Sequence, residues 1–468
     1  METRLSFLHK RGEIFILFGM KTLFKNVHTV VTCDDSDRVL RNVDILLDGC
    51  RIAKIGNVAE EADKVVDGSN LFVYPGLVNT HHHLYQYFTR NLPEVQGFEL
   101  FDWLKALYEI WKNLNSNTVL YSSLAGMTEL MKYGCTTVFD HHYVFPANAD
   151  GLIEAQFEAA DRLGIRMHSS RGSMDLSVKD GGLPPDSVVQ SVDEILKDSA
   201  RLIEQWHDPS EFSMRQIVLA PCSPFSVSAD LLRESAVLAR QYGVRLHTHL
   251  CETKDEENYT LERFGMRPYA YMETLGWTGP DVFYAHGIHF NDEELRELAR
   301  TQTGVAHNPC SNMKLSSGVA RIPEMLELGV PVGLAVDGSA SNDASNMMSE
   351  MRVAYLLHRL TSGDKAPTGY DLLKMATRGS AKLLGRNDIG QIAEGKAADL
   401  FAIRRDRAVM LCAEYDPTNL FGTVGYNQPA DLVYVNGVET VRDGIVLTVD
   451  EDEIYRGGLK EIERFLGK

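Results

Sequence analysis

An α/β fold is what this sequence predicts: a (β/α)8 TIM-like barrel with a small β-sandwich formed from both chain ends. Three observations predict it. Between residues 75 and 390, short apolar strand-like runs alternate with amphipathic helical stretches, the pattern of βαβ units and a parallel sheet. Short alternating segments separated by turn residues lie near both termini. The 468 residues also suit a barrel of roughly 250 residues or more with a satellite domain. The expected division is 20–74 plus 391–468 for the sandwich and 75–390 for the barrel.

Residues 1–19 read as an N-terminal extension that need not be native, because a natural-looking start follows at Met20-Lys21-Thr22. Their apolar patch, Phe15-Ile16-Leu17-Phe18, is shorter than the ~7–15 residues of a signal-peptide core. From 21 to 73 the pieces 23–27, 43–47 and 52–55 alternate as hairpin strands do, with Asp48-Gly49 as a turn. Similar pieces at 398–403 and 432–437 pair with them in the expected sandwich.

The barrel opens with Pro75-Gly76-Leu77-Val78-Asn79-Thr80-His81-His82-His83, a short apolar strand ending in histidines. Residues i and i+2 of a strand share a face, so His81 and His83 project together and His82 points away. Paired imidazoles at a strand end suit a transition metal better than a packed core. The aromatic stretch 101–111 follows with helical periodicity, which usually means core, although Trp103 there would also wall a cavity against a flat ring. The strand 136–140 ends at His141 and His142, one of which is expected to line the pocket. The helical stretch 150–163 leads to a strand at 165–170 and then Arg171, whose planar fork would suit a carbonyl oxygen.

A fourth strand is read at 216–222. The helical stretch 229–242 then leads into Val244-Arg245-Leu246-His247-Thr248-His249-Leu250-Cys251-Glu252, again with alternating histidines. A glutamate just past a ligand histidine sits where a proton shuttle would stand. Val282-Phe283-Tyr284-Ala285-His286 ends in one histidine, and Val332-Gly333-Leu334-Ala335-Val336-Asp337 ends in aspartate. Active sites of (β/α)8 barrels lie at the C-terminal ends of the strands, where all four chemical segments end.

Composition narrows the partners. A net charge of −18 repels nucleic acid and anionic membranes but not a neutral heterocycle. No apolar stretch approaches the ~20 residues of a membrane span. The seven cysteines are odd in number, dispersed and without a Cys-x-x-Cys pair, which fits reduced thiols and a cytoplasmic location. Cys222 and Cys251, close to the chemical segments, are expected to be small packing residues.

His-x-His after the first barrel strand, His-x-x-Glu after the fifth, His after the sixth and Asp after the eighth resemble the amidohydrolase superfamily, in particular its single-metal deaminases. The resemblance covers nearly the whole chain. It implies His81, His83, His249 and Asp337 as ligands of one divalent metal ion, Zn2+ ahead of Fe2+. It implies Glu252, His286 and Asp337 as the catalytic groups, with Glu252 the proton shuttle and His286 polarising the reacting centre. Two-metal members usually carry a bridging lysine on the fourth strand, and 216–222 has none.

Within the superfamily, Asn79-Thr80-His81-His82-His83-Leu84-Tyr85-Gln86, Ser169-Ser170-Arg171-Gly172-Ser173-Met174 and Val336-Asp337-Gly338-Ser339-Ala340-Ser341-Asn342-Asp343 are most similar to the clade of 8-oxoguanine deaminases and hydroxyatrazine ethylaminohydrolases. The expected reaction is hydrolytic loss of an exocyclic amine from a purine-like ring, 8-oxoguanine favoured, with Gln86, Arg171, His142 and Trp103 against the substrate. The rivals are amine release from a hydroxylated s-triazine, another guanine or pterin deaminase, hydrolysis of a cyclic amide, and a non-catalytic barrel scaffold. Relatives of this kind are often homo-oligomers, which is the expected assembly here by analogy.

Overall fold

The computed structural model describes residues 7–10, 13–16 and 20–467. Eight parallel strands form the barrel: β1 (Leu77–Asn79), β2 (Cys135–Asp140), β3 (Arg166–Ser173), β4 (Arg215–Pro221), β5 (Arg245–Leu250), β6 (Val282–His286), β7 (Gly304–His307) and β8 (Val332–Leu334). Each pairs in parallel with its successor. At the seam between β8 and β1, Thr80 Oγ1 donates to Leu334 O (3.2 Å), Val336 N to Asn79 Oδ1 (3.0 Å) and Asp337 N to His81 O (3.0 Å). The seam therefore ties the Asp337 segment directly to the His81 segment.

All residues of β1, β2, β3 and β6 are buried, as expected of parallel strands covered on both faces. Helices such as Leu152–Leu163, Val192–Trp206 and Ala229–Tyr242 lie between the strands in sequence. Ser191 and Ser228 cap the last two by accepting from Glu194 N and Leu231 N. Gly164 and Gly243, both with positive φ, end the first and third. The four-residue β7 is an element that the sequence reading did not single out.

Both chain ends build a second, nine-stranded sheet. Leu400–Arg404 pairs antiparallel with Leu71–Pro75, which continues through Lys21–Val31 and Val39–Asp48 on one side. Leu432–Val435 and Val438–Arg442 continue it on the other. Phe24 and Tyr434, on strands that are not neighbours in this sheet, meet edge to face with ring centroids 5.2 Å apart. The sheet thus folds over a core of its own that includes Val27, Ile45, Val73 and Leu400.

One expectation needs correction here: the apolar run 75–78 is not a single strand. Pro75 ends a strand of the second sheet, and β1 begins at Leu77. Between them a Cβ on Gly76 would come within 2.1 Å of Thr136 Oγ1, so only glycine lets the chain pass. The expectation for residues 1–19 falls partly outside the described residues; Phe7–Lys10 and Glu13–Ile16 pair as an antiparallel hairpin. No helix among the described residues is long and apolar enough to cross a membrane.

Candidate metal and active site

The segments that follow β1, β2, β5, β6 and β8 meet at one end of the barrel. Three imidazoles present their Nε2 atoms there, and the partners of each Nδ1 fix the tautomers. His83 Nδ1 donates to His141 O (2.7 Å) and His249 Nδ1 to Cys222 O (2.6 Å), since a carbonyl only accepts. His81 Nδ1 lies 2.8 Å from His247 Nε2. In neutral rings so held, the Nε2 atoms carry lone pairs, not protons.

Those lone pairs face one another. His83 Nε2 is 3.2 Å from His249 Nε2, and Asp337 Oδ1 is 3.3 Å from both His81 Nε2 and His83 Nε2. Four acceptors packed this way repel unless a cation lies among them. Tetrahedral ligands about 2.0–2.1 Å from a metal stand roughly 3.3 Å from each other, which matches these three separations. The donor set therefore fits one small divalent ion. His141 belongs to the same cluster, with its Nε2 donating to Ala220 O (2.8 Å) and its buried Nδ1 without a hydrogen-bond partner among the described residues.

Burial holds His81 and His249 well below the usual imidazole range, which keeps both rings neutral. Glu252 lies beside the cluster, its Oε2 3.5 Å from His286 Nε2 and its Oε1 accepting from Ser317 Oγ (3.4 Å). Burial raises the Glu252 carboxyl. Burial also opposes charge on His286, yet the carboxylates of Glu252 and Asp337 raise it overall. Asn312 Oδ1 accepts from His286 Nδ1 (2.8 Å) and so aims His286 Nε2 at those two carboxylates.

The backbone stores strain at these positions. Cys251, His286 and Asp337 have φ values of 56°, 71° and 63°, a region non-glycine residues seldom occupy. Each of these residues closes or follows a barrel strand, where the chain must turn sharply to present a side chain inward.

A cavity opens onto the cluster. His83, His249, Glu252, His286 and Asp337 form its floor, and Leu100, Trp103, Leu104, Phe225 and Leu315 supply apolar wall. Gln86 lines it with both amide atoms buried and unpartnered among the described residues, and the Trp103 indole N–H is also unpartnered. Cys222, expected only to pack, and Ser341 and Tyr143, not singled out from sequence, line the cavity as well.

Two expected substrate contacts are not brought there. Arg171 lies inside β3, not beyond its end, and faces the helical layer. Its Nε donates to Asp198 Oδ2 (2.7 Å), its Nη2 to Gln190 Oε1 (2.8 Å) and its Nη1 to Gly172 O, with the guanidinium 3.8 Å over the Phe145 ring. His142 packs against Tyr85 and Phe145, and its Nε2 donates to Val144 O (3.0 Å). Its neighbour His141 is the one that reaches the cluster. Alternation along β2 left both open, and only the turn after Asp140 decides between them.

An eight-stranded parallel barrel with an imidazole and carboxylate cluster at its C-terminal strand ends defines a class of hydrolases that work through bound metal. The chain belongs to the amidohydrolase family, whose model matches residues 72–446. It is 47% identical over 384 residues to the 8-oxoguanine deaminase of Pseudomonas aeruginosa, covering 82% of this chain and 85% of that protein. It is 40% identical over 452 residues to the hydroxydechloroatrazine ethylaminohydrolase of Pseudomonas sp. strain ADP, covering 93% and 94%. The atrazine chlorohydrolase of Arthrobacter aurescens TC1 complexed with zinc superposes with a TM-score of 0.91 at 34% identity, covering 94% of this chain and 100% of that one.

Proposed function

We propose that this protein is a metal-dependent hydrolytic deaminase that converts an exocyclic amine of a purine-like heterocycle to a carbonyl and releases ammonia, with 8-oxoguanine the favoured substrate. The observation that carries the reading is the convergence of unprotonated His83 and His249 Nε2 atoms and Asp337 Oδ1, with Glu252 and His286 beside them under a cavity with apolar walls. The 47% identity to an 8-oxoguanine deaminase supports the choice of substrate.

In this reading His81, His83, His249 and Asp337 hold one divalent ion, Zn2+ by its preference for tetrahedral nitrogen and oxygen donors. When bound, the ion supplies Lewis acidity that makes water a nucleophile near neutral pH. Asp337 accepts the proton of the attacking water. Glu252, whose carboxyl burial raises, gives its proton to the ring nitrogen, takes the remaining proton of the attacking water as the carbonyl forms and passes it to the departing amine; the proton held by Asp337 then returns to Glu252. His286, whose protonated form the neighbouring Asp337 carboxylate favours, donates from Nε2 toward the oxygen that becomes the carbonyl, while Asn312 holds its Nδ1. Gln86 and the Trp103 indole N–H read the polar edge of the ring, and Leu100, Leu104 and Phe225 cover its faces.

Offering the purified protein 8-oxoguanine, guanine, isoxanthopterin and hydroxyatrazine, with ammonia and ethylamine measured separately, tests the proposal. Ammonia released fastest from 8-oxoguanine is expected. Ethylamine from hydroxyatrazine as the only product would favour the triazine reading, which draws support from the 40% identity to that enzyme over 93% of this chain.

A further inference from the structure

His83 and His249 each fix their tautomer by donating Nδ1–H straight to a main-chain carbonyl. His81 does not. Its Nδ1 meets a side chain, His247 Nε2, at 2.8 Å, and His247 Nδ1 in turn lies 2.9 Å from Phe283 O. The direction of this relay follows from its last member. Phe283 O can only accept, so His247 Nδ1 carries a proton. His247 is fully buried between the Phe139 and Phe283 rings, at centroid distances of 4.9 and 4.3 Å, an apolar setting that disfavours a charged ring. A neutral ring protonated at Nδ1 has a bare Nε2, which accepts. His81 Nδ1 must then carry a proton, and the lone pair of His81 is left on Nε2, which faces Asp337 Oδ1 at 3.3 Å.

We propose that His247 is a positioning residue: anchored on the β6 main chain, it locks His81 in the one tautomer and orientation that lets Nε2 bind a divalent metal. This rests on the reading of His81 as a ligand. His247 itself stays outside the cluster of atoms that converge on the ion. Among the three histidine ligands proposed, His81 is the one whose tautomer depends on a replaceable side chain, and partners of this kind typically contribute 10–100-fold to metal affinity.

The test compares His247→Gln with His247→Asn. The Gln amide reaches the place of Nε2 and accepts from His81 Nδ1. Asn is one methylene shorter, keeps a polar group near Phe283 O and cannot reach His81. Zn2+ affinity is read by competition with a chromogenic chelator, and the thermal midpoint of the metal-free proteins reports any loss of fold. Expected are Zn2+ binding about 10–100-fold weaker in His247→Asn and within a few-fold of wild type in His247→Gln. His247→Leu replaces Asn in the comparison if the Asn variant does not fold. Equal affinity in the two variants, whether unchanged or equally weakened, overturns the proposal. Failure of the wild-type protein to bind one equivalent of Zn2+ overturns the ligand reading itself, and the proposal with it.

Discussion

Glu252 Oε2 stands 3.5 Å from His286 Nε2, both side chains buried and neither needed to close the cluster of His81, His83, His249 and Asp337. Proton transfer and metal retention are therefore separable. Glu252→Gln keeps the size and burial of the side chain but cannot shuttle a proton. One equivalent of Zn2+ should remain, with a thermal midpoint close to wild type, while kcat falls by about 10²–10⁴-fold, the usual cost of losing a general acid-base group. Turnover near the wild-type rate would remove Glu252 from the mechanism.

Arg171 should behave as a structural residue. Its guanidinium is buried, with donors committed to Asp198, Gln190 and Gly172. Arg171→Met keeps much of the apolar stem but removes one partner of Asp198, which is partly exposed and keeps its pair with Arg201 (2.8 Å). A loss of about 1–3 kcal/mol is expected in chemical denaturation, less than the cost of breaking a fully buried pair. KM at permissive temperature should stay within twofold. A KM rise beyond about tenfold at unchanged stability would return Arg171 to the substrate.

The contrast between Arg171 and His249 shows what strand patterning carries. Apolar runs located β1, β2, β4, β5, β6 and β8, and the alternation of His81 with His83 and of His247 with His249 assigned their shared faces, because side-chain period along a strand is fixed at two. Arg171 was misplaced because the strand was ended at Ser170, whereas the polar and small run His168-Ser169-Ser170-Arg171-Gly172-Ser173 lies wholly in β3. Their polarity is tolerated because Ser169 and Ser170 bond to Gln156 and to the His142 backbone inside the barrel. Hydrophobicity cannot signal a strand whose polar groups are satisfied by distant partners. The same holds for Asn312 and Ser317, which reach His286 and Glu252 from outside any strand and carry no periodic signal.

Stability should fall with rising pH through Glu350. Burial pushes this carboxyl up to about 7, even though its oxygens accept from Cys310 N (3.3 Å) and Asn342 Nδ2 (2.6 Å). In the unfolded chain it titrates near 4.5. A folded-state value above the unfolded one means that its contribution is fully present below pH 4.5 and is lost as pH rises through 7. The loss amounts to roughly 3 kcal/mol at most, at 1.36 kcal/mol per pKa unit. Glu350→Gln has no such titration. Its thermal midpoint, measured against wild type from pH 5 to 8, should gain on wild type across that range; parallel curves would refute the assignment.

Glu256 is the brace of the β5 turn. Its Oε1 accepts from Cys251 N and its Oε2 from Glu252 N, both at 2.9 Å, and Cys251 sits at φ 56°. A left-handed cysteine persists only where its surroundings over-determine it. Here one carboxylate takes two successive backbone N–H groups, and the second belongs to Glu252. The glutamate is placed for this by Thr253, which caps the helix Lys254–Phe264 by accepting from Glu256 N (3.3 Å). Glu256→Gln leaves one acceptor for two donors and turns an NH2 against a backbone N–H. The turn relaxes and the Glu252 carboxyl moves, although its own chemistry is untouched. Because a displacement of about 1 Å at a reacting group costs on the order of 10²-fold, kcat should fall by roughly 10–100-fold. The metal ligands lie on other hydrogen bonds, so Zn2+ content should stay at one equivalent, and KM should change by less than about threefold. A fall in kcat with loss of metal would point instead to collapse of the β5 end as a whole, and an unchanged kcat would show that the left-handed turn holds without its carboxylate.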